Sequence, residues 1–129
     1  MHKKYEYIAY GGDCFTIEWY FDPKEESQAF DYYQSLSADD RIQLLKLFKR
    51  MGDAGKIKDI TKFVSEGDKI YAFKPQPDRF LCFFYDGKKI IVTNAFRKKQ
   101  QKLPANEKER ALKIHDKYIS RTQAGEYYD

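Results

Sequence analysis

Two apolar runs, RFLCFFY from Arg79 to Tyr85 and KKIIVTNAF from Lys88 to Phe96, are separated only by Asp86 and Gly87. An Asp-Gly pair between runs rich in aromatic and β-branched residues is the strongest short hairpin signal a sequence offers, because both residues accept the positive φ of a tight turn. The two runs are therefore expected to pair. A third strand, IYAFK from Ile70 to Lys74, precedes them and is cut off by Pro75, Gln76 and Pro77. Three consecutive antiparallel strands result.

Upstream, Cys14 to Tyr20 (CFTIEWY) alternates Phe15, Ile17 and Trp19 with Thr16 and Glu18, the period of a half-buried strand. Asp22, Pro23 and Glu25 supply a cap, a first helical proline and a third-position carboxylate, which predicts a helix to about Leu36 with Ala29, Phe30 and Tyr33 inward. Ser37 and Asp40 open a second helix carrying Ile42, Leu45, Phe48 and Met51, with Gly52 as its stop. Ile57 to Val64 reads as a turn of helix or an irregular crossing. After Pro104 a basic helix runs from about Ala105 to Thr122 with a stripe of Ala111, Leu112, His115, Tyr118 and Ile119. The tail from Gly125 to Asp129 has no helix signal and is expected to fray. The order β-α-α-β-β-β-α describes an α+β fold, with a helical hairpin and a C-terminal helix gathered on one side of a small antiparallel sheet.

The 129 residues are expected to form one domain, with a core spanning about residues 14–122. The chain has 11 Tyr, 10 Phe and 1 Trp, so aromatics must fill much of that core. No apolar run approaches the roughly 18 to 20 residues of a membrane span, and the first residues do not resemble a signal peptide. A cytoplasmic protein is expected. Cys14 and Cys82 lack a CxxC spacing or a nearby His, which gives no support to zinc or a thiol nucleophile. They read as small core residues, and a reducing compartment disfavours a disulfide between them.

Charge is polarised. Arg97 to Arg121 holds nine Lys or Arg against three acids, a footprint shared by phosphate-binding elements and by solvated basic helix faces.

The ordered series Gly55-Lys56-Ile57, Tyr71 and Lys74, Arg79, Phe83-Phe84, Gly87, Phe96, Lys98-Lys99, Lys102, Pro104, Glu107 or Glu109, and Ala111 resembles the RelE/ParE superfamily of type II toxins. The likeness is to its HigB-like, phage-derived branch and covers roughly residues 14–119. It implies a compact sheet with a helical hairpin and a C-terminal helix. It also implies a toxin that cuts messenger RNA on the ribosome without metal or cofactor and forms a hetero-oligomer with a cognate antitoxin. The same resemblance admits a DNA gyrase inhibitor or an inactive toxin fold.

Metal-free RNA cleavage needs a proton acceptor for the 2′-hydroxyl, stabilisation of the phosphorane's extra charge, and a proton donor for the 5′-oxygen. Arg79, at the family's Arg position, is the first candidate, since a guanidinium grips phosphate with two donors; the alternative is a salt-bridged surface residue. Lys74 is a second phosphate clamp or a charged sheet edge. Lys98 and Lys99 are candidates for transition-state stabilisation, with Arg97, Lys102 and Lys56 following the RNA. Tyr118 and His115 could stack a base or move a proton, but their place on the apolar stripe favours packing. Some HigB-like nucleases use His near the second and third strands and an Asp-Tyr-His cluster after the fourth. This chain has neither, which leaves the proton acceptor open. Lys56 or Lys58 could serve only if the preceding loop folds inward.

Overall fold

Asp86 and Gly87 both take left-handed backbone angles, φ 57° and 67°, in a computed structural model that describes residues 7–99 and 102–128. In chain order the elements are strands β1 (Ile8–Gly11) and β2 (Thr16–Trp19), helices α1 (Gln28–Ser35) and α2 (Ala38–Ala54), strands β3 (Phe63–Ser65), β4 (Tyr71–Phe73), β5 (Asp78–Tyr85) and β6 (Lys89–Arg97), and helix α3 (Ala105–Gln123). The hairpin pairs β5 with β6 from Asp78↔Arg97 to Tyr85↔Lys89. The α+β class holds, and the sheet is larger than the expected meander. Six described strands run in the order β1-β2-β6-β5-β4-β3. The sheet is also mixed, because β2 lies parallel to β6 from Thr16↔Lys89 to Trp19↔Val92. Strands β1 and β3, of four and three residues, are too short for a period of two to stand out.

The helices cover both faces of the sheet rather than one. Phe80, Cys82, Ile90, Val92 and Ala95 pack with Ala29 of α1 and Leu44, Phe48 and Met51 of α2. The alternate residues Leu81, Phe83, Ile91 and Phe96 pack with Ala111 and Tyr118 of α3. A strand covered twice needs no polar face, which is why RFLCFFY and IIV show no alternation in the sequence. Beyond its pairing with β2, the free edge of β6 is closed by a side chain. Gln28 donates to Ala95 O and accepts from Ala95 N, both at 2.8 Å.

Several boundaries shift for local reasons. Asp22 accepts from Lys24 N and Glu26 N at 2.9 and 3.0 Å, closing a turn in which Glu25 has φ 64°. The first helix therefore begins after Ser27, whose Oγ accepts from Phe30 N. Ser37 caps α2 as expected, but the helix passes Gly52 and ends at Gly55, φ 82°. Its inner face is Leu44, Leu47, Phe48 and Met51, while Ile42 is 48% exposed. Cys82 is a core residue; Cys14 is exposed and Sγ–H donates to Asp53 O.

Gly52 serves packing instead of stopping the helix. A Cβ on Gly12 would stand 2.2 Å from its carbonyl carbon, and one on Gly52 would meet the Tyr10 ring at 2.7 Å.

The C-terminal tail, expected to fray, is docked. Tyr127 is 1% exposed; its hydroxyl accepts from Phe21 N at 3.0 Å and its ring packs on Tyr7, Tyr20 and Tyr118. Arg121 stacks over the same ring at 4.7 Å and donates to Phe21 O. Aromatic packing thus replaces the missing helical signal. Among the described residues no helix is long and apolar enough to cross a membrane.

Two substitutions test this packing. Gly12→Ala forces backbone apart from backbone and is expected to lower stability by about 1–3 kcal/mol. Tyr127→Ala empties an aromatic site in the second core and should cost about 3–5 kcal/mol. Denaturant unfolding monitored by circular dichroism reads both as a lower midpoint.

Candidate functional site

At one end of the sheet, the alternation that points Ala72, Leu81 and Phe96 toward α3 also places four charged side chains there. Val64 pairs with Ala72, Ala72 with Leu81, and Arg79 with Phe96. Two residues along the same face from Val64, Ala72, Leu81 and Phe96 stand Glu66, Lys74, Arg79 and Lys98. These four, with Val64, Phe96, Leu103 and Pro104, line a pocket of about 170 Å³. Lys74, Arg79 and Lys98, named from the sequence, are thereby brought together.

The roof of the pocket is fixed by a bulge in β6. The register jumps between Leu81↔Asn94 and Cys82↔Val92, so Thr93 is the extra residue and the alternation resets after it. Thr93 Oγ1 donates to Leu81 O, and buried Asn94 donates to Glu107 O and Oε1 at 3.2 and 3.0 Å. Those bonds hold the first turn of α3, which has no side-chain cap at Pro104. Leu103 and Pro104 consequently sit against the sheet end.

Arg79 is 5% exposed. Its Nη1 donates to Asp78 O at 2.9 Å and Gln76 Oε1 at 3.3 Å. Among the described residues no acceptor reaches Nε or Nη2, and no carboxylate lies within 4.0 Å of the guanidinium. Burial pulls its pKa below the ordinary value, with Glu66 and Asp78 acting in the opposite sense. Lys74 is steadied by donating to Ile60 O at 3.0 Å. Burial, then the Arg79 and Lys98 cations, hold its ammonium below the usual lysine value. A buried guanidinium with no carboxylate at ion-pair distance, beside an acidified ammonium, has the chemistry that suits an anion.

The other sequence candidates lie elsewhere. Arg97 pairs with Asp78, and Tyr32 of α1 donates to Asp78 Oδ1 at 2.6 Å, so strand alternation puts Arg97 on the α1/α2 face. Lys99, Lys102 and Lys56 are exposed and outside the pocket lining. Tyr118 is wholly buried and burial pushes its phenol above the ordinary range. His115 packs edge-on against Phe83 with Nδ1 3.1 Å from Asp116. Neither ring lines the pocket. Of the cations on α3, Arg121 secures the tail, Lys108 pairs with Asp68 and Arg110 with Glu107. Among the described residues no three His, Cys, Asp or Glu side chains are grouped to hold a metal ion.

Glu66 is the residue that sequence reasoning missed. It follows a three-residue strand, and only the β3–β4 register carries it to the pocket. The signal available was the spacing of two from Val64.

Comparison with protein-family models matches residues 31–116 to "Phage derived protein Gp49-like (DUF891)". The chain belongs to this Gp49-like family. The match runs from α1 through most of α3 and includes every wall of the pocket. Gp49-like proteins are a HigB-like toxin family within the RelE/ParE superfamily. No curated protein matches the chain in sequence.

The electrostatics of the Gp49-like pocket carry a pH signature. A bound anion favours the Lys74 ammonium, so affinity is full while free Lys74 is protonated. It falls as pH rises through the lowered pKa, because each binding event must then take up a proton. Sulfate, dianionic throughout, is the clean probe. Calorimetry should show its affinity declining before pH reaches the ordinary lysine value of 10.5. Lys74→Arg should abolish that decline.

Proposed function

We propose that this Gp49-like chain is the toxin of a toxin–antitoxin pair, and that it cleaves messenger RNA on the ribosome by metal-independent transesterification. The observation that carries the reading is Arg79, a buried guanidinium with unsatisfied donors, grouped with two ammonium groups and one carboxylate. That set matches the demands of the reaction. Arg79 and Lys98 neutralise the non-bridging phosphate oxygens as the phosphorane forms. The Glu66 carboxylate takes the proton from the 2′-hydroxyl while its oxygen bonds to phosphorus. The P–O5′ bond breaks, and Lys74, made more acidic by burial and by its cationic neighbours, protonates the departing 5′-oxygen. The products are a 2′,3′-cyclic phosphate and a 5′-hydroxyl, so the charges and protons balance.

The exposed Lys99, Lys102, Arg97 and Lys56 act in this reading as non-catalytic contacts to the RNA and ribosome, weakened by salt. An antitoxin covering the cationic mouth would silence the toxin in a cytoplasmic hetero-oligomer.

Expression without antitoxin should arrest growth, with primer extension mapping cuts inside translated codons. Arg79→Lys and Glu66→Gln should each lower cleavage by about 100-fold or more while leaving the melting temperature close to that of the parent. Growth arrest with intact transcripts would falsify the nuclease reading.

A further inference from the structure

Across the Pro75-Gln76 turn from the first pocket lies a second cavity, of about 290 Å³, on the α2 side of the sheet. Lys46 and Arg50 reach it from one face of α2, being four residues apart, and Lys62 faces them from the segment leading into β3. Among the described residues none of the three makes an ion pair within 4.0 Å. The one acid in the lining, Asp59, accepts from Thr61 N at 2.9 Å and Thr61 Oγ1 at 2.6 Å and also feels the Lys62 and Arg50 charges, which leaves the lining with an excess of cations. The floor is apolar, supplied by Leu47 and Pro75.

The two cavities share a wall. Gln76 lines the second, and its Oε1 accepts from Arg79 of the first at 3.3 Å, while its Nε2 donates to Thr61 O at 3.2 Å. Lys62 and Lys74 are tied through Lys74 N to Lys62 O at 2.8 Å. Two cationic cavities meeting at one residue suit a polymer that repeats its negative charge along a flexible backbone.

We infer that the Lys46-Arg50-Lys62 groove binds the phosphate backbone of the RNA strand held at Arg79, which crosses the Pro75-Gln76 turn to reach it. The cations take phosphate oxygens, and the Leu47 and Pro75 floor accepts the face of a base. The identity of the polymer rests on the nuclease reading; the binding of a polyanion in the groove does not.

The test compares a 12-nucleotide and a 3-nucleotide single-stranded RNA by fluorescence anisotropy, using the full chain and its Lys46→Gln/Arg50→Gln/Lys62→Gln variant. The variant should bind the 12-mer about tenfold more weakly, and the magnitude of its salt slope should fall by about 2, near 0.7 for each lost contact. Trinucleotide affinity should stay within about twofold, showing that the first pocket is intact. Unchanged 12-mer affinity and slope overturns the proposal, as does equal weakening for both lengths. Loss of polyglutamate binding with RNA binding kept also overturns it and marks a surface for an acidic protein. A variant deficient in RNA binding, in cells whose transcripts stay intact under the parent protein, supports the groove and removes the nuclease reading. Cut transcripts with undiminished 12-mer binding do the reverse.

Discussion

The ladder between β5 and β6 is covered by α1 and α2 on one face and by α3 on the other, and its alternation decides which helix each side chain meets. A slip of one residue would exchange the two sets. If β5 slipped, Asp78 would face α3 and Arg79 would face α1, and the pocket would lose its guanidinium. The bulge at Thr93 makes the register two-part. Below it Ile91 faces α3, and above it Asn94 and Phe96 do so again. Without the extra residue the upper end of β6 would present the wrong face. The charged cluster is therefore a property of strand pairing more than of any local motif.

Polar side chains, buried at Asn94 and Glu18 and exposed at Gln28, hold the layers to this register. Asn94 bonds the first turn of α3, Gln28 ties α1 to the β6 edge, and Glu18 accepts from Tyr128 at 2.6 Å with Lys89 at 3.4 Å. Each joins two elements that apolar packing alone would allow to slide, and each has its hydrogen-bond partner. Arg79 differs, because its two acceptors leave most of the guanidinium unmatched. Among the described residues the buried side chains of Glu18, Ser27, Asp78, Thr93 and Asn94 each have a partner, and the open guanidinium is what the proposed anion site rests on.

Short-range chemistry was legible in the sequence. The Asp86-Gly87 turn, the Ser37 cap, the proline before α3 and the apolar strands all follow from residues close together in the chain. The conjunction of Lys74, Arg79 and Lys98 was legible too, since each stands at or just past the end of a readable strand. What escaped depended on distant pairing. The parallel β2–β6 contact has no turn to announce it, β3 is three residues long, and Glu66 gains meaning only from its register. The first helix was misplaced because Asp22 can cap a turn as well as a helix. The tail was misread because its packing is aromatic and non-local, and no periodicity spans 120 residues.

That last separation bears on the order in which the molecule assembles. The Tyr7 hydroxyl donates to Tyr127 O at 2.9 Å, and Tyr7 packs beside Tyr127 and Tyr128. During synthesis a growing chain can pair its strands and dock α1 and α2 well before residue 127 exists. Leu81, Phe83 and Ile91 stay uncovered through that interval. The roof at Leu103 and Pro104 likewise waits for α3. The pocket's roof thus forms late, with α3, and a partly made chain holds these cationic residues without the walls that enclose them.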